Sequence, residues 1–247
     1  MVDVKIKRDK IIEFLNKKLD IKRFKEKPKQ GLKIKGKKDV GVIGVAADLT
    51  FRIIKSARKN GVDFIFTHHT SWPSLDNFYR RKFGMLKRSK ISYYYAHSAL
   101  DGNKELGTSI TLSRKLGIDI KGTFSPYYGG DSGIYGDLRT SFDKLLEKTN
   151  KIGWMRYYKQ HNKIKRIGIV AGAGNLIKDI KEAKQLGCDT YITGEYSNFL
   201  GIFAKENNIN LICLGHSASE LPAVIEIGKL LRKKFGVKVV RLHDFSY

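Results

Sequence analysis

The chain alternates two hydrophobic periods in a fixed order, and this alternation restricts its folding more than any other feature. Val40 to Ala47 is an apolar run of strand length, and Leu49 to Lys59 places apolar residues at helical spacing. Gly61 stops that helix, and Val62 to Thr67 is a second apolar run. Strand, helix and strand in this order form a βαβ unit, which requires parallel pairing. Segment 70–90, with Pro73, reads as loop with a short helix, and Ile91 to Ala96 reads as a further strand. The second half runs similarly: strand Arg166 to Val170, helix Leu176 to Leu186, Gly187, strand Cys188 to Thr193, helix Asn198 to Lys205 and strand Asn210 to Leu214. A helix from Leu221 to Phe235 and a strand from Val237 to Leu242 close the order. Earlier, Ile11, Ile12, Leu15 and Leu19 after Asp9 mark an amphipathic helix, and the basic stretch Lys22 to Lys38 reads as loop. Thr123 to Arg139, rich in Gly and Tyr, suits a hairpin before a helix from Phe142 to Lys148.

The two halves also align with each other. At an offset of 126 residues, Ala57, Gly61, Asp63 and Thr67 match Ala183, Gly187, Asp189 and Thr193. At an offset of 119, His97-Ser98-Ala99 matches His216-Ser217-Ala218, Asp101 faces Glu220, and Gly117 faces Gly236. The expected fold is therefore α/β, with two similar halves, residues 1–122 and 123–247, related by an internal pseudo-twofold duplication. At 247 residues either half can bury a core.

This alignment locates a site. Each half supplies a His and a carboxylate four residues later at the carboxyl end of a strand, where ligand sites of α/β sheets collect: His97 with Asp101, and His216 with Glu220. On a turn of helix, positions i and i+4 point the same way, so both donors can meet one ion. His68 and His69 add two imidazoles at another strand end. Five or six nitrogen and oxygen ligands exceed what one tetrahedral ion takes, so two ions are expected in a shared cleft, with a carboxylate such as Glu220 able to bridge them. Imidazole and carboxylate donors suit Zn, Mn, Fe or Ni better than Ca or Mg.

Other residues are read more briefly. Glu195 falls where the first half has His69, so it is expected to support a ligand or to move a proton. Gly172-Ala173-Gly174 follows a strand, but Ile177 occupies the third glycine position of the dinucleotide fingerprint, so a close-packed turn is expected. Cys188 and Cys213 lie in apolar segments and read as buried small hydrophobes in a reducing compartment. The opening residues, Met1 to Lys10, lack a signal-peptide core, and the chain is read as cytoplasmic.

Charge adds a second theme. With 48 Lys and Arg against 24 Asp and Glu, the formal charge is +24, and fifteen basic residues fall in the first forty positions. Such a field attracts polyanions. Lys33, Lys35, Lys37 and Lys38 are the expected nucleic-acid-binding positions. No helix-turn-helix, zinc finger or RNP pattern accompanies them, so any such binding is expected to ignore sequence.

Thr67-His68-His69-Thr70, Ala96-His97-Ser98-Ala99-Leu100-Asp101 with Glu105-Leu106-Gly107, Ile192-Thr193-Gly194-Glu195, and Leu214-Gly215-His216-Ser217-Ala218-Ser219-Glu220 resemble the Nif-three-like dinuclear metal family. The resemblance covers nearly the whole chain. It implies an α/β protein of two halves assembling into a hexameric ring with metal sites facing an inner cavity, and some members are catalogued as GTP cyclohydrolase type-two homologues. It implies His68, His69, Asp101, His216 and Glu220 as ligands of two divalent ions, with Glu220 bridging and His97 as a further ligand or close neighbour. Two departures from the family pattern stand out. Thr70-Ser71-Trp72 follows the histidine pair where Pro and apolar residues are common, and the inserted domain of longer members is missing. Two functions fit these features. One is a metal-dependent hydrolase of a nucleotide or phosphoester, with His97 or Glu195 moving a proton. The other is a ring protein binding single- or double-stranded DNA without sequence preference, with structural or auxiliary metals.

Overall fold

The computed structural model describes residues 4–153 and 156–243; residues 1–3 of the opening segment lie outside them. In chain order the elements are β1 (Ile6–Lys7), α1 (Arg8–Lys18), β2 (Gly31–Ile34), β3 (Asp39–Val40), β4 (Val42–Ala46), α2 (Phe51–Lys59), β5 (Phe64–Thr67), α3 (Tyr79–Arg88), β6 (Ser92–Tyr95) and α4 (Ser98–Asp101). There follow α5 (Thr108–Leu116), β7 (Asp119–Tyr127), β8 (Gly130–Ser141), α6 (Phe142–Asn150), β9 (Arg156–Tyr158), β10 (Lys163–Val170), α7 (Ile177–Gln185), β11 (Thr190–Thr193), α8 (Asn198–Glu206), β12 (Asn210–Cys213), α9 (His216–Phe235) and β13 (Lys238–Arg241).

The chain forms two compact units, 1–103 with 224–247, and 104–223. A single boundary after residue 122 is not how the contacts divide. Strand pairing explains the difference: β7 and β8 form an antiparallel hairpin joined to β10, whereas β13, at the far end of the sequence, pairs in parallel with β4.

The first unit carries a five-stranded sheet in the order β13-β4-β5-β6-β2, parallel except for β2, and a small β1-β3 ribbon. The expected loop from Lys22 to Lys38 thus contains an edge strand. Its backbone finds partners on β6, which overrides its polar composition. Period-two alternation divides the sheet faces. Ile65, Tyr93 and Tyr95 pack with Ile53, Ile54 and Ala57 of α2 and Phe83 and Leu86 of α3. Tyr94 turns the other way, stacks on Phe64 and Phe66, and donates its hydroxyl to Asn16 Oδ1 on α1 at 3.0 Å.

The second unit holds a six-stranded sheet, β7-β8-β10-β11-β12-β9, in which β10, β11 and β12 run parallel. The hairpin is where the Gly- and Tyr-rich stretch places it. Ile167 and Ile169 face Leu112 and Leu116 of α5 and Phe142 and Leu145 of α6. Val170 faces the opposite side, with Ile180 and Ala183 of α7 and Leu200 and Ala204 of α8. Cys188 and Cys213 are free and buried, and burial pushes both thiols up to about 12. In both sheets the run of parallel strands, four in the first and three in the second, is bordered by an antiparallel one, β2 beside β6 and β9 beside β12. Among the described residues, no helix is long and apolar enough to cross a membrane.

Candidate metal centre

In the first unit the strand ends gather histidines. Strand β5 ends at Thr67, and the next two backbone N–H groups, of His68 and His69, donate to Ala47 O at 3.1 and 2.8 Å. This turn aims both rings beyond the sheet, with centroids 4.4 Å apart. His97 follows β6 and precedes α4, its ring centroid 5.0 Å from that of His68 and 5.3 Å from that of His69. One ring nitrogen of each of the three lies within 4.8 Å of the others. Asp101 closes α4, with Oδ1 3.5 Å from His68 Nε2 and Oδ2 4.0 Å from His97 Nε2. His68, His69 and Asp101 are buried.

The other ring nitrogen decides what these histidines can do. His68 Nδ1 is 2.9 Å from the Ala96 carbonyl, His69 Nδ1 is 2.8 Å from Asp48 Oδ1, and His97 Nδ1 is 2.6 Å from Glu26 Oε1. A carbonyl or carboxylate oxygen can only accept, so each Nδ1 carries the hydrogen and donates. Each Nε2 is thereby left as the basic nitrogen that a metal requires. Glu26 is itself fixed in place. Burial opposes its ionisation, but hydrogen bonds from His97 and Ser98 outweigh that and hold its carboxyl below the usual range. Gln30 completes the support: its Oε1 accepts from the backbone N–H of His97 at 2.6 Å and of Ala99 at 3.1 Å.

The second unit repeats this chemistry. His216 opens α9 three residues beyond the end of β12, so His216 and Glu220 share a helix face, with Nε2 3.4 Å from Glu220 Oε1. The sequence reading starts this helix at Leu221. Instead the helix begins earlier and contains Pro222, which has no N–H to donate to the preceding turn. His216 Nδ1 donates to Glu195 Oε1 at 2.6 Å, and Glu195 Oε2 accepts from Asn175 Nδ2 at 3.0 Å. Burial works against a charge on His216, but Glu220 and Glu195 outweigh it and raise the imidazole to about 9. Gly172, at φ +71°, turns the chain beside Glu220, where a side chain of its own would collide with the carboxylate. Its N–H donates to Ser219 Oγ at 2.8 Å, which suits the expected close-packed turn.

The sequence reading missed Glu26, Gln30 and Asp48. Asp48 carried a signal, since it follows a parallel strand at its carboxyl end. Glu26 and Gln30 carried none, because they lie in a basic, aperiodic stretch. The four lysines expected to meet nucleic acid are placed differently from one another. Lys33 is half-buried on β2, 5.8 Å over the Tyr95 ring and bonded to the Lys29 carbonyl. Lys35, Lys37 and Lys38 are exposed, and Lys37 pairs with Asp63 at 2.7 Å. His161 is half-buried and His243 exposed, neither in these clusters.

Parallel α/β units whose strands end in Nδ1-anchored imidazoles and carboxylates define a chain fitted to hold metal. It belongs to the Duf34/NIF3 family (NGG1p interacting factor 3), whose model matches residues 6–244. Relatives called GTP cyclohydrolase 1 type 2 homolog include one from Pyrococcus horikoshii, 30% identical over 94% of this chain and 96% of its own. Another, from Pyrococcus abyssi, is 29% identical over 95% and 97%. Among solved structures, reduced HcgD from Methanocaldococcus jannaschii superposes with a TM-score of 0.82 at 25% identity, covering 98% of this chain and 99% of that one. The protein ybgI superposes at 0.88 with 21% identity and the same coverage.

Proposed function

We propose that this protein is a metal-dependent hydrolase of a nucleotide or phosphoester, with His68, His69 and Asp101 of the first unit and His216 and Glu220 of the second as ligands of two divalent transition ions. One observation carries the reading: all four strand-end imidazoles donate Nδ1–H to a fixed acceptor, which prepares Nε2 as a donor to metal. A carboxylate accompanies each group, Asp101 in one unit and Glu220 in the other, and such mixed sets are typical of metal sites that leave positions open to water. Bound there, the ions supply Lewis acidity toward a phosphoryl oxygen and lower the pKa of water toward ~7.

The chain's own residues divide the remaining work. Both oxygens of Glu195 are engaged, one by His216 and one by Asn175, so Glu195 orients His216 rather than carrying protons. His97 is partly exposed, and Glu26 fixes its Nδ1, so its Nε2 is the group placed to give or take a proton. Trp72 packs edge-on against His97, ring centroids 5.3 Å apart, and covers one side of that imidazole from water. The names of the Pyrococcus relatives favour a nucleotide among phosphoesters.

The experiment is turnover of a broad nucleotide and phosphoester panel by metal-replete protein. Hydrolysis should vanish on chelation, return to the wild type on adding metal back, and stay absent in His216→Ala. Activity that survives His216→Ala belongs to a contaminant, and a metal-replete wild type that turns over nothing in the panel refutes the reading.

A further inference from the structure

The first unit has a second concave feature, at the opposite end of its sheet from the histidines. A recess of about 930 Å³ is bounded by the chain entering β4 (Gly41, Val42), the turn before β5 (Gly61, Asp63) and the chain entering β13 (Val237, Lys238). His68 and His69 follow the other end of β5: five residues of extended chain, about 16 Å, separate Asp63 from His68.

The recess is strongly basic. Lys5, Lys37, Lys38, Arg232 and Lys238 line it against two carboxylates, Asp39 and Asp63, a surplus of three positive charges. Both carboxylates are already engaged. Asp39 accepts from Lys7 at 2.7 Å, and Asp63 accepts from Lys37 at 2.7 Å and from the N–H groups of Gly41 and Val42 at 3.0 and 3.3 Å. Among the described residues, Lys38, Arg232 and Lys238 form no ion pair, and all three are exposed. An adjoining hollow of about 400 Å³ shares Lys37 and Gly61 and adds Arg58 and Arg88. Such a concentration of like charge in a walled recess raises the local concentration of anions. The positive charge is spread over several points rather than converging on one, which suits a run of linked phosphates better than a single carboxylate. No aromatic ring lines either hollow, so nothing there stacks on a base.

We infer that this recess is a metal-independent site for an oligophosphate, a ligand of two or more linked phosphates, supplied by a free polyphosphate-bearing compound or by a phosphodiester chain. It selects the phosphates and ignores the rest of the ligand. This site does not rest on the hydrolase reading, and it reassigns the expected basic contacts: Lys37 and Lys38 line it, whereas Lys33 and Lys35 do not.

The test is titration of the full chain with tripolyphosphate, in chelator so that no metal contributes, using calorimetry at several salt concentrations. The wild type should bind, more weakly as salt rises, and orthophosphate should bind far less. The triple variant Lys38→Glu, Arg232→Glu, Lys238→Glu should lose at least about tenfold in affinity. A control with the same change in net charge, Lys163→Glu, Lys181→Glu, Lys184→Glu, should stay within about threefold of the wild type. Far-ultraviolet dichroism and thermal unfolding confirm that both variants fold. Tripolyphosphate displacing a labelled 20-base-pair duplex from the wild type identifies the phosphodiester chain as a source of the same phosphates. A duplex that does not bind, or is not displaced, assigns the recess to free oligophosphates. Absence of tripolyphosphate binding, equal loss in both triple variants, or equal affinity for an acidic peptide of matched charge overturns the proposal.

Discussion

Replacing Gly172 by alanine should cripple metal binding without replacing any ligand. Gly172 sits at φ +71°, and an alanine methyl there would collide with Oε1 of Glu220 and stand 3.3 Å from Nε2 of His216. Two effects follow and can be separated. The left-handed backbone costs about 1–2 kcal/mol for a residue with a Cβ, which for a chain of this size lowers the melting temperature by about 2–8 °C. The steric effect is local: the Glu220 carboxylate, buried and 3.4 Å from His216 Nε2, must withdraw by about 1 Å or more to restore normal contact. Gly187→Ala supplies the control. Gly187 has φ +81°, but its added methyl would meet only Arg166 Nη1 at 3.8 Å. Both variants should therefore lose similar stability in chelator, by thermal unfolding, while only Gly172→Ala should bind metal about 10–100-fold more weakly by calorimetry. Wild-type metal affinity in Gly172→Ala, at the same stability as Gly187→Ala, would refute the reasoning.

Asp48→Ala removes no expected ligand, yet it should weaken metal binding by about 10–100-fold, because His69 loses the acceptor that fixes its Nδ1 hydrogen; unchanged calorimetric affinity would show that this pair is incidental. In the metal-free chain His216 holds its second proton up to about pH 9, so a metal must expel it. Affinity should therefore rise between about pH 6 and 9 with net proton release, measurable in buffers of different ionisation heat, and this dependence should flatten in His216→Ala. On the proposed two-ion reading, with Glu220 bridging as the family resemblance implies, Glu220→Ala should lower elemental metal content more than His97→Ala does; equal content in the two variants would argue against bridging.

Much of this protein was legible in its sequence because the signals were local. Strand and helix periods, and the glycines that stop α2 and α7 at Gly61 and Gly187, need only neighbours within a few residues to be read. The pairs His97 with Asp101 and His216 with Glu220 were visible for the same reason, because a spacing of four places two side chains on one helix face. The tertiary structure decided what depends on distant partners. Glu26 reaches His97 across 71 positions and Asp48 reaches His69 across 21, and no local pattern marks a carboxylate for such a contact. Strand β2 exists because β6 offers it a hydrogen-bonding edge, and β13 returns from the end of the chain to pair with β4, which makes the first unit discontinuous. Charge followed the same division: the sequence determined its amount, but which lysines share a recess and which lie over a tyrosine ring was decided by how the strands pack.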